Sequence, residues 1–165
     1  MTALIRNRCV VEDTWRVLQP DDTVPADGNV IVPLVMWREQ QPVIGDRGGL
    51  TGVWLGPADD PADIGQLPVL IAVHFPVFTD GRGYSTARLL RQRYGFAAEL
   101  RAIGDVLRDQ LHELARCGFD SFALRIGQDP TEALRAFDDF SESYQAGADQ
   151  GALFERRFSR ERNAA

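Results

Sequence analysis

Val69-Leu70-Ile71-Ala72-Val73-His74-Phe75, followed at once by Pro76 and then by Asp80-Gly81-Arg82-Gly83-Tyr84-Ser85, is the stretch that decides the fold. Seven residues with one polar member form too long an apolar run for a strand with a wet face. Such a run predicts a strand buried on both sides, as in a parallel sheet. The two glycines after it let the chain turn tightly, and Ser85 reads as the cap of a helix over Thr86 to Tyr94 closed by Gly95. A strand that delivers a glycine-rich turn into a helix start gathers free N–H groups and Arg82 at one spot, which suits an anion.

The same strand–helix alternation extends in both directions. Upstream, Val30 to Val35 and Gly52 to Leu55 read as strands. Between them lies a weak helix over Trp37 to Ile44, interrupted at Pro42. Asp59 to Gln66 follows as a short helix with Asp59 or Asp60 as cap and Pro61 in its first turn. Downstream, Glu99 to Ile103 and Phe119 to Ile126 read as strands flanking a helix over Asp105 to Cys117 capped by Asp105. Asp129-Pro130-Thr131-Glu132 is a strong helix start, and Leu134, Phe137, Phe140 and Tyr144 share its apolar stripe. The predicted class is α/β with a mainly parallel sheet. It is either an open sheet with helices on both faces, the favoured form, or a half-barrel-like arrangement in which successive strands are neighbours. One domain over 1–165 is expected. Residues 1–28 form a short, antiparallel or irregular entry, and 148–165 form a flexible or helical tail.

Composition narrows the chemistry. The 165 residues carry a formal charge of −6, which disfavours broad nucleic-acid binding. No apolar run approaches membrane-spanning length. Cys9 and Cys117 fit no zinc or redox spacing, so a cytoplasmic protein is expected. All 18 basic residues are arginine, which rules out Schiff-base lysine chemistry and a P-loop lysine. Any cation offered to a ligand is therefore a guanidinium, which binds oxyanions through paired hydrogen bonds and stays charged. Asp109 and His112 are one helical step apart, but two ligands do not make a metal site. No nucleotide fingerprint is present, and no cofactor is expected.

Candidate site residues follow from the loops after the strands, where ligands of such folds bind. Asp80, Arg82 and Ser85 come from the first loop, Asp105 from the second and Asp129 from the third. His74, near the end of its strand, is the candidate for handling a proton. Residues 80–101 hold Arg82, Arg88, Arg91, Arg93 and Arg101 against Asp80 and Glu99, a local balance of +3 in an acidic chain. This reads as an anion- or partner-binding patch or, more plainly, as helix-surface arginines paired with nearby acids.

Phe75-Pro76, Phe78-Thr79-Asp80-Gly81-Arg82-Gly83-Tyr84-Ser85 and Ala87-Arg88-Leu89-Leu90-Arg91 resemble the signature of the bacterial domain of unknown function 934 family. The resemblance continues through Glu99 to Leu107, Asp109-Gln110 and Arg116 to Asp120, and spans Leu4 to Tyr144. Asp80, Arg82, Ser85, Arg88, Arg91, Arg101, Asp105 and Asp109 are the positions that match. Members are typically encoded beside the sirohaem sulfite reductase of assimilatory sulfur metabolism, and no catalytic mechanism travels with the family. The resemblance therefore implies an accessory protein of sulfite reduction that docks on the reductase or its electron donor, or that binds a sulfur oxyanion at Arg82. Two alternatives stand beside it. One is a small enzyme in which Arg82, Arg88 and Arg101 clamp a sulfur oxyanion or phosphorylated metabolite while Asp80 or His74 moves a proton. The other is a structural or regulatory module whose arginines and acids form an internal ion-pair network.

Overall fold

A computed structural model describes residues 3–137 of the chain. They form one eight-stranded sheet: β1 (Ala3–Arg6), β2 (Cys9–Glu12), β3 (Trp15–Val17), β4 (Asn29–Pro33), β5 (Thr51–Leu55), β6 (Leu70–Phe75), β7 (Glu99–Gly104) and β8 (Ser121–Phe122), in the spatial order β2-β1-β8-β7-β6-β5-β4-β3. From β3 to β8 every strand lies parallel beside its sequence neighbour. The entry segment contributes the antiparallel hairpin β1–β2, turned by Asn7 and Arg8 at positive φ, and β1 pairs antiparallel with β8. The class is α/β, and the sheet takes the half-barrel-like form.

Helices α1 (Leu34–Glu39), α2 (Gln41–Asp46), α3 (Arg82–Gln92), α4 (Leu111–Arg116) and α5 (Pro130–Ala133), with 3₁₀ turns at Pro61–Ile64, Arg108–Gln110 and Leu134–Phe137, complete the described chain. Their buried residues, among them Leu34, Ile44, Ile64, Ala87, Leu90, Leu111, Leu114 and Ala133, share a single core with Val30, Val53, Val73 and Leu100 of the strands. The opposite sheet face holds a separate core of Ile31, Leu70, Ala72 and Ile103, flanked by Trp15, Val17, Trp54 and Ala123, with no helical residue in it. The described helices thus lie on one face rather than two. Sequential parallel strands joined by right-handed crossovers require this, because each crossover returns on the same side.

Curling seals the other face. β2 and β3 are the two edges of the sheet, yet only Asp13 and Thr14 separate them in sequence. Eight strands laid flat would span roughly 34 Å at about 4.8 Å per spacing. The link from Glu12 to Trp15 reaches at most about 11 Å. The edges are therefore drawn together where this link crosses. Its Asp13 carboxylate accepts from Arg101 Nη1 at 2.9 Å, and Arg101 Nε and Nη2 both donate to Glu99 Oε1, at 3.0 and 2.7 Å. Arg101 is 1% exposed, the largest fully buried side chain described. Arg6 adds a 3.5 Å contact to Glu99. Ser121, in register with both Arg6 and Arg101, is fully buried with its hydroxyl unpartnered among the described residues.

Several boundaries differ from the sequence reading for local reasons. α3 begins at Arg82, so Ser85 lies inside the helix and is not its cap. The N-cap residue is Gly81, and the Asp80 carboxylate accepts from Arg82 N at 3.1 Å. Gly83 fits the early start because it packs on Phe75, and a Cβ there would lie 2.5 Å from the ring. Gly95 at φ +63° closes the helix as expected, with Phe96 N donating to Leu90 O. Asp105 caps no helix either. Gly104 at φ +96° turns the chain, buried Val106 has its carbonyl taken by Arg125 N, Leu107 is extended, and the helical turn opens only at Arg108. Pro42 divides the weak helix into α1 and α2, standing in the first turn of the second. β8 is only two residues long. Asp129 caps α5 as expected, accepting from Thr131 N and Glu132 N. Phe140, Tyr144 and the 148–165 tail lie outside the described residues.

Two stability predictions follow from this packing. Arg101→Ala leaves Glu99 and Asp13 facing each other without their cation and should cost about 3–5 kcal/mol in urea unfolding. Adding Glu99→Gln and Asp13→Asn should return part of that loss. Gly83→Ala should cost about 1–3 kcal/mol through overpacking against Phe75, whereas Gly81→Ala, with open space at its Cβ, should leave the unfolding midpoint nearly unchanged.

Candidate functional site

The loops after β6, β7 and β8 converge at the C-terminal edge of the sheet, and one carboxylate ties them. Asp105 Oδ2 accepts from Phe78 N in the β6 loop at 3.0 Å, and Oδ1 accepts from Arg125 Nη1 in the β8 loop at 3.0 Å. Its own N–H donates to Phe75 O at 2.7 Å. Gln110 adds a second tie. Its Oε1 accepts from Leu107 N, while Nε2 donates to Phe78 O at 3.0 Å and to the Tyr84 hydroxyl at 3.2 Å. Arg108 N donates to Gln128 Oε1 at 2.7 Å, joining the β7 and β8 loops once more. On this pinned backbone Val77 and Phe78 stand about half exposed, and Ile126 is 98% exposed.

Two ion pairs lie on the same loops as these apolar residues. Arg82 meets Asp80 through Nη2–Oδ2 at 2.7 Å and Nε–Oδ1 at 3.0 Å. The bond from Arg82 is the main reason the Asp80 carboxyl is held below its ordinary range, and the same bond raises the Arg82 guanidinium. Arg125 pairs with Asp105 and remains about half exposed.

His74 lies at the end of β6 on the helix-free face, opposite Ile103 in register. Its ring is tilted against Trp54, with centroids 5.5 Å apart, and Trp54 Nε1 is fixed by Leu18 O at 2.8 Å. Gly104 makes room for the imidazole, since a Cβ there would lie 2.8 Å from His74 Cδ2. Partial burial lowers the His74 pKa, so the ring is neutral near pH 7. No described residue hydrogen-bonds it.

The remaining expected site residues are dispersed. Arg91 binds four groups beneath the surface: Nε donates to Gly118 O at 2.9 Å, Nη1 to Ala98 O at 2.8 Å and to Phe96 O, and Nη2 to Asp120 Oδ2 at 2.8 Å. It also lies over the Phe96 ring. Asp120 in turn accepts from Leu100 N, and burial raises its pKa against the pull of Arg91. Arg91 is thus committed to joining α3, β7 and the approach to β8. Arg101 is committed to the sealed interior near the strands' N-terminal ends. Ser85 and Arg88 lie on the outside of α3, where Arg88 reaches Glu113 at 3.7 Å. Only Asp80, Arg82 and Asp105, with His74 on the inner side, share the edge predicted for them. Asp129 is occupied as a helix cap. Cys117 is buried, and burial raises its thiol pKa.

Sequence reasoning missed Arg125, Phe78, Ile126 and Gln110 as parts of this rim. The strand reading of Phe119 to Ile126 hid Arg125 and Ile126 in a sheet, and the available signal against it was Gly127 immediately after Ile126. Among the described residues no cluster of three or more His, Cys, Asp or Glu is arranged to hold a metal ion, and no helix is long and apolar enough to cross a membrane.

The family model described as bacterial protein of unknown function, domain of unknown function 934, matches residues 52–154. The match covers more than half of the chain, from β5 past the described rim, and the chain belongs to this family. No curated protein and no solved structure matches it.

His74 gives the site a pH signature. The folded state holds fewer protons on this ring than the unfolded state does, so stability rises with pH through the window between the lowered folded pKa and the ordinary histidine value of 6.5. The contribution is complete above that window and is lost as pH falls through it. Chemical unfolding at mildly acidic and neutral pH should show a larger acid loss for the wild type than for His74→Gln. Equal losses would place the ring in bulk-like solvent.

Proposed function

We propose that this protein is an accessory protein of assimilatory sulfite reduction that docks on the sulfite reductase or its electron donor through the rim formed by the loops after β6, β7 and β8. The observation that carries the reading is the composition of that rim. Phe78 and Ile126 are exposed on loops pinned by Asp105, and the guanidiniums of Arg82 and Arg125 flank them. An apolar centre with arginine at its border is the anatomy that protein contacts favour. Loops already tied by Asp105 and Gln110 lose little freedom on binding, which lowers the cost of association. The identity of the partner is supported by the family's usual placement beside sulfite reductase. The arginine border favours a partner with an acidic face, because such charges steer encounter more than they hold the complex.

Docking is preferred over capture of a free sulfur oxyanion. Each rim guanidinium is already matched by a carboxylate, Arg82 by Asp80 and Arg125 by Asp105. A small anion would have to compete with an internal partner of the same charge at both places. An apolar protein surface meets no such competition at Phe78 and Ile126.

Surface plasmon resonance with purified sulfite reductase tests the reading. Binding should be strongest at low salt. Phe78→Ser and Ile126→Ser should each weaken it by about tenfold or more, roughly 1.4 kcal/mol. Arg82→Ala should mainly slow association and flatten its salt dependence. No association at low salt, or full affinity in both apolar variants, would count decisively against docking at this rim.

A further inference from the structure

Beyond the rim, α3 carries a second surface that the rim ion pairs do not use. Residues 82–93 contain four arginines and no carboxylate, in a chain of net charge −6. Their placement divides them. Arg82 belongs to the rim, and Arg91 is spent on carbonyls and Asp120. Arg88 and Arg93, with Ser85, Leu89 and Gln92, line an open groove of about 540 Å³ on the outer face of the helix. Ser85, Leu89 and Gln92 follow one another at helical spacing, so the groove runs along the helix rather than across it. Arg88 reaches Glu113 on α4 at 3.7 Å and also bonds to the Cys117 thiol, and Arg93 makes no ion pair with a described residue. The groove is too open to enclose a small molecule and has the form on which a helix can lie.

We propose that this groove takes an acidic amphipathic helix of the docking partner, lying along α3 from Arg93 towards Arg82, so that the contact continues from the rim onto the helix. The identity of the partner rests on the docking reading, whereas the chemistry of the groove stands on its own residues. Leu89 offers the apolar contact, and Arg88 and Arg93 offer charge on either side of it. Arg88 and Arg93 are five positions apart, about 7.5 Å along the axis, so carboxylates one to two turns apart on the bound helix meet both. Each exposed pair is individually weak and salt-sensitive, and affinity comes from several acting with the apolar contact.

The test uses the full chain and two probes. One is a synthetic amphipathic peptide with Glu on its polar face and Leu on the other, with an all-Gln counterpart. The other is purified sulfite reductase. Calorimetry should show binding of the Glu peptide and none of the Gln peptide. The double variant Ser85→Glu with Arg93→Glu should weaken Glu-peptide binding at least about tenfold, while Arg135→Glu, a charge reversal on an exposed residue elsewhere, should change it less than about twofold. Absence of peptide binding, or equal loss in Arg135→Glu, would overturn the proposal. Binding that appears only after Asp138, Asp139 and Glu142 are replaced by their amides would overturn it as well, since the groove would then belong to the chain's own acidic segment. Reductase binding lost in Ile126→Ser but intact in the α3 double variant would sink the groove contact and leave rim docking standing. Peptide binding at α3 with no reductase binding would leave the groove and remove the docking reading.

Discussion

The ion pair between Arg101 and Asp13, with Glu99 as second acceptor, holds together what the rest of the structure needs. Asp13 belongs to the two-residue link between the two edges of the sheet, and Arg101 projects from β7 into the face that the curl encloses. One guanidinium thus couples the closing link to a central strand. Its burial makes the arrangement all-or-none. A charged group this enclosed tolerates neither a missing carboxylate nor a loosened link, because either leaves an unpaired charge out of reach of water. Hydrophobic packing alone would not set this register. Ile31, Leu70, Ala72 and Ile103 form a small cluster of interchangeable aliphatic shapes, whereas a forked donor with two fixed acceptors is directional.

Curling in this direction decides where the functional edge lies. With every crossover returning on one side, all the βα loops emerge at the same end, and the curl swings those after β6, β7 and β8 towards one another. Asp105 makes use of this proximity. It stands at the turn created by Gly104 and accepts from the loops on either side, so that three separate connections behave as one surface. The polar network is spent on shaping the backbone, and the apolar side chains of Phe78 and Ile126 are left facing outward.

The sequence made some of this legible and concealed the rest for identifiable reasons. The run expected as a strand over Val69 to Phe75 is one from Leu70 to Phe75, with Val69 half exposed before it, because such an apolar run has a single explanation in a parallel sheet. Asp129 and Gly95 read correctly because capping chemistry is local. Ser85 was misplaced because the helix start depends on Gly83 packing against Phe75, a tertiary contact that no propensity reports. Asp105 looked like a cap for the same reason that it became a knot: a carboxylate after a glycine suits any nearby N–H, and only the folded chain shows that Phe78 supplies it. The choice between open sheet and half-barrel turned on the shortness of the Asp13-Thr14 link, whose meaning appears only once β2 and β3 are known to be opposite edges.

The absence of lysine explains why the arginines were the hardest residues to read. A chain with one kind of cation must use it both as internal stitching and as surface charge. Arg47 gathers the carbonyls of Pro25, Asp27, Gly28 and Leu50 and fastens the connector before β4 to the start of β5. Arg91 does the same for the chain around Phe96, Ala98 and Gly118, and Arg101 does it with carboxylates. A lysine ammonium, as a point charge, could not span such sets in one plane. The arginines that gather carbonyls serve the fold; those at Arg82, Arg93 and Arg125 meet at most a side-chain carboxylate and keep much of their surface towards solvent. Sequence spacing treats the two groups alike, since Arg88, Arg91 and Arg93 lie within two turns of one helix. What separates them is whether neighbouring backbone leaves carbonyls unpaired within reach, and that is settled by the ends of strands and helices around each arginine. The local charge that first suggested a converging cationic pocket is therefore divided between a stitched interior and a solvent-facing surface, and only the second part is available to a partner.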